Sequence, residues 1–194
     1  IYLTPQDGDK NKARYSATDA LDFYVKEGYT IFNASKISGW KRLWGLSIAT
    51  KYSPRNLENL LKEKFGNLLL SELIKPCLIT TYDMNRKSSY FFTSTEDSTQ
   101  NEFFVRDVLM STSAAPTYFP PAKIKNLAVD SDKANEFADM INLDGGVFAN
   151  NPTLCAYAEA RNTNFEDRNN NEPTAKDMHI LSLGTGGGGF QIKD

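Results

Sequence analysis

Histidine is almost missing from this chain of 194 residues: His179 stands alone, beside two cysteines, Cys77 and Cys155. One histidine and a distant cysteine pair without CxxC spacing do not make up the ligand set of a zinc site or a disulfide framework. The two thiols fit a reducing compartment. No acidic cluster stands at calcium-ligand spacing, so neither metal nor other cofactor is expected. His179 enters an apolar run with no serine motif beside it and reads as a core or strand-end residue, which leaves a Ser-His-Asp triad without its base. An excess of positive charge is also lacking. Lys and Arg number 22 against 24 Asp and Glu, a net charge of −2, whereas a phosphate-binding surface needs a clustered positive excess. A nucleic-acid partner is therefore not expected. No run reaches the roughly 18 apolar residues of a membrane-spanning helix. The N-terminus has neither the basic nor the apolar region of a signal peptide, and Ile1 to Pro5, without Met, reads as the interior of a longer protein.

Hydrophobic residues make up 40% of the chain and aromatics 12%, enough to bury one sizeable core, most simply in one domain. After a polar opening from Gln6 to Arg14, Ser16 with Asp19 three residues on is a capping-box signature. It predicts a helix through Leu21, Phe23 and Tyr24 with Gly28 as its stop. Tyr29 to Phe32 follows as a brief extended run. In Gly39 to Tyr52, Trp40, Leu43, Trp44 and Ile48 share a helical face with Lys41, Arg42 and Lys51 elsewhere. Two readings stand for this segment: packing on the domain, or an amphipathic basic patch at a membrane interface.

Ser53-Pro54 opens a second helix with Leu57, Leu60, Leu61 and Phe65 on one face and Gly66 ending it. Cys77 to Tyr82 and Ser89 to Thr93 read as strands across a polar turn, a hairpin or neighbouring pair. Phe103 to Met110 is a compact helix ended by Pro116, and Pro120-Pro121 holds the next segment extended. Ile124 to Met140 reads as a surface excursion. Asn164 to Asp177, poor in apolar residues, reads as a mobile loop, and Met178 to Leu183 as a buried strand. Helices alternating with apolar strands predict an α/β layered fold.

The stretch that organises the chain is Ile141 to Pro152. An apolar run delivers Asp144 onto Gly145-Gly146, where two glycines allow a sharp turn through positive φ. Asn151 then reads as an N-cap and Pro152 as the first residue of an Ala-rich helix. Strand, acidic turn, helix is a common mounting for a functional group, although Asp-Gly-Gly by itself is more often a plain turn. The glycine run from Gly184 to Gly189 lacks the Lys-Ser/Thr of a phosphate loop; it serves equally as a tight exit from a strand, and a nucleotide-binding α/β domain stays open as a rival.

Three motifs in series narrow the choice: Ser113-Ala114-Ala115-Pro116-Thr117-Tyr118-Phe119-Pro120-Pro121, then Asp144-Gly145-Gly146 with Asn150-Asn151-Pro152, then Leu181-Ser182-Leu183-Gly184-Thr185-Gly186. In this order they resemble the patatin-like phospholipases, lipid acyl hydrolases, over nearly the whole chain. The resemblance implies a three-layer α/β/α fold with a mostly parallel central sheet. It also implies a Ser-Asp dyad without histidine, with Asp144 as general base and Gly145 and Gly146 completing its motif. Expected partners are phospholipids or other acyl lipids, with peripheral membrane contact through Trp40 and Trp44, in the cytoplasm or at a membrane surface. That family's Gly-rich oxyanion loop and Gly-x-Ser-x-Gly elbow are not found in residues 1–194. They are expected upstream, so the chain reads as an incomplete patatin-like domain, inactive alone, with Ser111, Ser113 and Ser182 belonging to other motifs. A non-catalytic lipid- or partner-binding relative of the same fold is the alternative.

Overall fold

The computed structural model describes residues 3–32, 50–95, 101–129, 138–163 and 173–184. The amphipathic Trp40 and Trp44 segment, most of the polar stretch after Asn164 and the glycines after Gly184 lie outside these residues. The chain divides into two compact units, Ile1–Asn151 and Pro152–Asp194.

The first unit opens with a small hairpin, β1 (Pro5–Gln6) on β2 (Asp9–Ala13). It lies where the polar opening gave no apolar alternation, and Asp7-Gly8 is the turn signal that marks it, with Gly8 at φ 82°. Ser16 then caps α1 (Ala17–Asp22): its Oγ accepts from the Asp19 N–H at 3.2 Å, and the Asp19 carboxylate accepts from the Ser16 N–H at 2.7 Å. These bonds hold the Asp19 carboxyl below the usual carboxylate value.

Gly28 is not the stop expected of it. The rod continues through a π-helical turn (Phe23–Glu27) into α2 (Gly28–Ile31), so Tyr29 to Ile31 is helical rather than extended. Glycine terminates a helix when it turns left-handed. Gly28 keeps a right-handed φ of −54°, and the extra turn carries Ile31 into the core. Gly66 shows the contrast. At φ 52° it ends α3 (Pro54–Phe65), its N–H bonded to the Lys62 carbonyl. This helix keeps the predicted Ser53 cap and buries Leu57, Leu60, Leu61 and Phe65, each contributing about 1.5–3 kcal/mol relative to exposure.

Beyond a short 3-10 turn at Leu70–Glu72, β3 (Leu78–Asp83) and β4 (Ser88–Thr93) form the expected hairpin, in register from Leu78↔Thr93 to Asp83↔Ser88. Its turn is fastened by Asp83, 1% exposed, which accepts from the Asn85 N–H at 2.8 Å and pairs with Arg86 at 2.6 Å. Next, α4 (Val105–Thr112) covers the sheet with Val105 and Val108 inward. It ends at Ser113, before Pro116 is reached.

The described ends of the segment expected as surface excursion, Ile124-Lys125 and Asp139-Met140, belong to two core strands. β5 (Ala122–Lys125) buries Ala122 and Ile124 while Lys123 and Lys125 face out, and β6 (Asp139–Asp144) buries Met140. Period-2 alternation over four residues is short enough to be masked by its lysines. The sheet order is β4-β3-β6-β5. Phe92, Phe103, Val108 and Met140, all at most 1% exposed, form the core beneath α4.

Every ladder of this described sheet is antiparallel, where a mostly parallel arrangement is expected from the sequence. For the β3–β4 pair the reason is connection length. Four residues join β3 to β4, and a turn that short can only reverse the chain, whereas parallel neighbours need a crossover of a dozen residues or more.

The second unit holds α6 (Thr153–Asn162) and a 3-10 turn (Ala175–Asp177) that Thr174 caps. Met178 to Leu183 is not the buried strand expected. Leu181 and Leu183 are 81% and 84% exposed, and His179 is exposed rather than in a core. A strand exists through its ladder, and among the described residues this run pairs with none.

Candidate active site

Asp144 closes β6 where the strand is tied on both sides. Its N–H donates to the Ala114 carbonyl at 3.0 Å, and the preceding carbonyl, Leu143, accepts from the Thr81 hydroxyl at 2.7 Å. Thr81 and Asp144 are register partners between β3 and β6. The carboxylate folds back over the turn, Oδ1 accepting from the Gly146 N–H at 2.7 Å.

The two glycines serve this geometry differently from expectation. Neither has positive φ; Gly145 sits at −63°. What excludes a side chain at Gly145 is proximity: a Cβ there would lie 2.1 Å from Thr80 Oγ1 and 2.4 Å from the Thr80 carbonyl oxygen. At Gly146 a Cβ would come within 3.0 Å of Asp144 Oδ1, crowding the carboxylate that its own N–H holds. The turn leads into a one-turn helix, α5 (Gly146–Ala149). The long helix then starts at Thr153 with Pro152, not Asn151, in the capping position and no side-chain cap.

Beneath Asp144 on the same face of β6 lies Asn142, with no exposed surface. Its Nδ2 donates to Ser111 Oγ at 3.0 Å, and that hydroxyl donates to the Asp107 carbonyl at 3.0 Å, bolting the strand to α4. Asn142 Oδ1 is buried and without a hydrogen bond among the described residues.

Asp144 forms part of the wall of a cavity of about 650 Å³. Ala20, Phe23 and Ile31 contribute from the first helical rod, Leu57, Leu61 and Phe65 from α3, and Tyr118 and Phe119 from the loop after α4. The lining is mainly apolar, and Asp144 is the charged residue in it. A long apolar ligand fits such a wall, and one carboxylate at its edge can take a proton from a hydroxyl placed beside it.

Ser113 and Thr112 also line this cavity. Sequence reading assigned Ser113 to a separate motif; only the folding of the α4 end against β6 brings it beside Asp144. Ser111 is fully buried in the Asn142 contact, and Ser182, in the other unit, bonds to Thr153 at 3.2 Å. Cys77 and Cys155 are free thiols, and burial pushes the Cys77 thiol above its ordinary value. No three His, Cys, Asp or Glu side chains gather at metal-ligand distance among the described residues, and no described helix is long and apolar enough to cross a membrane.

A family model of patatin-like phospholipases matches residues 1–157, ending just after the Asp144 turn. Patatin-like protein 2 of Oryza sativa subsp. indica is 33% identical over 159 residues, covering 78% of this chain and 37% of its own length. Patatin-like protein 4 of Arabidopsis thaliana is 32% identical over 92% of this chain and 44% of its own. Patatin-1-Kuras 2 of Solanum tuberosum is 28% identical over 92% and 46%. The chain thus spans less than half the length of these curated relatives.

Proposed function

The chain belongs to the patatin-like phospholipase family, whose α/β fold it shares, and from that premise we propose that it carries the aspartate half of a lipid acyl hydrolase. The observation that supports this reading is the Asp144 carboxylate, at the end of a clamped strand, on the wall of an apolar cavity of about 650 Å³. Acyl chains of phospholipids or related lipids enter the cavity, and the ester lies at Asp144.

The nucleophilic serine and the oxyanion donors come from residues outside these 194, in which no Gly-x-Ser-x-Gly occurs. Asp144 accepts the serine hydroxyl proton as the oxygen attacks the ester carbonyl. Collapse of the tetrahedral adduct breaks the bond to the alcohol, which leaves with that proton, and an acyl-serine remains. Water then gives its proton to Asp144, attacks the acyl carbonyl and frees the acid, and the proton returns to the serine. Without the serine elbow and the oxyanion loop, residues 1–194 alone have neither that attacking group nor that charge stabilisation, and are expected to leave a short-chain nitrophenyl ester uncleaved.

Labelling of the longer natural protein by a fluorophosphonate probe tests the reading. A serine adduct supports it. A folded protein that stays unlabelled points instead to the non-catalytic lipid- or partner-binding relative.

A further inference from the structure

The hydrolase reading leaves the length of the acyl chain unassigned, and the first helical rod carries a residue that bears on it. Gly28 lines the cavity together with Tyr24, Ile31 and Phe32 of the same rod. These three stand four positions before it and three and four after it, the spacings that share one helix face. The hydrogen bonds keep those spacings although a π-helical turn precedes. The Gly28 N–H donates to the Tyr24 carbonyl, and the Gly28 carbonyl accepts from the Phe32 N–H at 3.0 Å. A side chain at position 28 would therefore leave the backbone on the cavity side of the rod.

Neither the backbone nor the packing of the described residues requires glycine there. Its φ of −54° and ψ of −40° are ordinary helical values open to any residue, and an added Cβ would meet no atom within 4 Å. Gly145 is the opposite case, where Thr80 fills the space. Glycine within a helical rod is less stable than alanine, so what Gly28 contributes is open volume in front of the rod. This wall is distinct from the one that carries the carboxylate: Asp144 ends β6, whereas α2 packs against α3.

We propose that Gly28 sets the length of acyl chain that the cavity accepts, by keeping the space in front of the rod free of any side chain. This rests on the acyl-hydrolase reading for the presence of an acyl chain, but not on catalysis. Each methylene that finds room in an apolar site strengthens binding about fourfold, and affinity stops rising at the length where the room ends. Gly28→Leu adds four carbons to that space, which take the room of about three methylenes in a close-packed site.

The test is displacement of a fluorescent apolar dye from the longer natural protein by straight-chain fatty acids of increasing length, each kept monomeric. In the unaltered protein Kd falls with each added methylene and then levels. Gly28→Leu is expected to level about three methylenes earlier, which leaves the longest acids bound about sixtyfold more weakly. Gly28→Ala levels about one methylene earlier, about fourfold weaker, and decides the matter if the leucine variant melts low. Val25→Leu, on the same rod but 70% exposed and outside the cavity lining, levels where the unaltered protein does. Levelling at an unchanged length in both Gly28 variants overturns the proposal. So does an equal loss at every length, or the same shift in Val25→Leu. A protein that cleaves acyl esters without the shift removes this proposal and keeps the hydrolase reading; one that cleaves none yet shows the shift does the reverse.

Discussion

Gly145→Ala measures how closely β6 is pressed onto β3 at the candidate site. The new Cβ would stand 2.1 Å from Thr80 Oγ1, 2.4 Å from Thr80 O and 2.7 Å from Thr80 C. The hydroxyl can rotate away, but the carbonyl belongs to a strand paired with β4 on one side and β6 on the other. Restoring ordinary contact needs a backbone shift of about 1 Å, enough to disturb the Thr81↔Asp144 pairing and the Asp144 bond to Ala114. The upper end of overpacking costs, about 3 kcal/mol, is expected. That lowers the thermal midpoint by roughly 6–12 °C at the size of this chain. Gly28→Ala is the control. It changes the same residue type in a right-handed helical turn with no atom within 4 Å of the added Cβ, and is expected to stabilise by about 0.5–1 kcal/mol. Calorimetric melting of both variants decides the matter. A Gly145→Ala midpoint within a degree or two of the unaltered protein, or a comparable loss in Gly28→Ala, refutes the reasoning.

Other expectations follow from the same contacts. Ser111→Ala leaves the buried Asn142 Nδ2 without its acceptor and is expected to cost about 1–3 kcal/mol in denaturant unfolding. Burial, partly offset by Arg106 and Lys62, raises the Asp107 carboxyl above its ordinary value. An acid whose pKa is higher folded than unfolded holds its proton longer in the native state, so its contribution favours the fold at acid pH. That contribution is lost as pH rises from the unfolded value through the folded one. Stability of Asp107→Asn relative to the unaltered protein should therefore improve as pH rises across that window, and a flat difference in urea midpoints would contradict it. Replacing Trp40 and Trp44 together by Ala is expected to weaken liposome co-sedimentation, the role their amphipathic basic setting suggests; undiminished sedimentation removes that role.

Local chemistry made part of this molecule readable in advance. Ser16 with Asp19, Ser53-Pro54 and Gly66 are caps whose donors and acceptors lie within three or four residues, and the Cys77 to Thr93 hairpin is closed by a short polar turn. Asp144 at a strand end was legible for the same reason. The misreadings come from long-range conditions. Whether Gly28 stops or continues a helix depends on φ, which the demand for Ile31 in the core helps to set. Why Gly145 must be glycine depends on Thr80, sixty-five positions away in the chain and in contact only through the sheet. Ile124 and Met140 are core residues because β5 and β6 pair with each other, and Leu181 and Leu183 have no ladder to bury them among the described residues. The cavity that joins Asp144 to Ser113, Tyr118 and the first helical rod is built from segments no local pattern connects.

The central claim is that Asp144 takes the proton in ester cleavage, and Asp144→Asn in the longer natural protein tests it most directly. The substitution keeps an oxygen able to accept the Gly146 N–H bond while removing the basic carboxylate. Hydrolysis of a nitrophenyl acyl ester is expected to fall about 10²–10⁴-fold, with the thermal midpoint shifted by no more than a degree or two. A variant that folds normally and keeps its rate within about threefold would contradict the account.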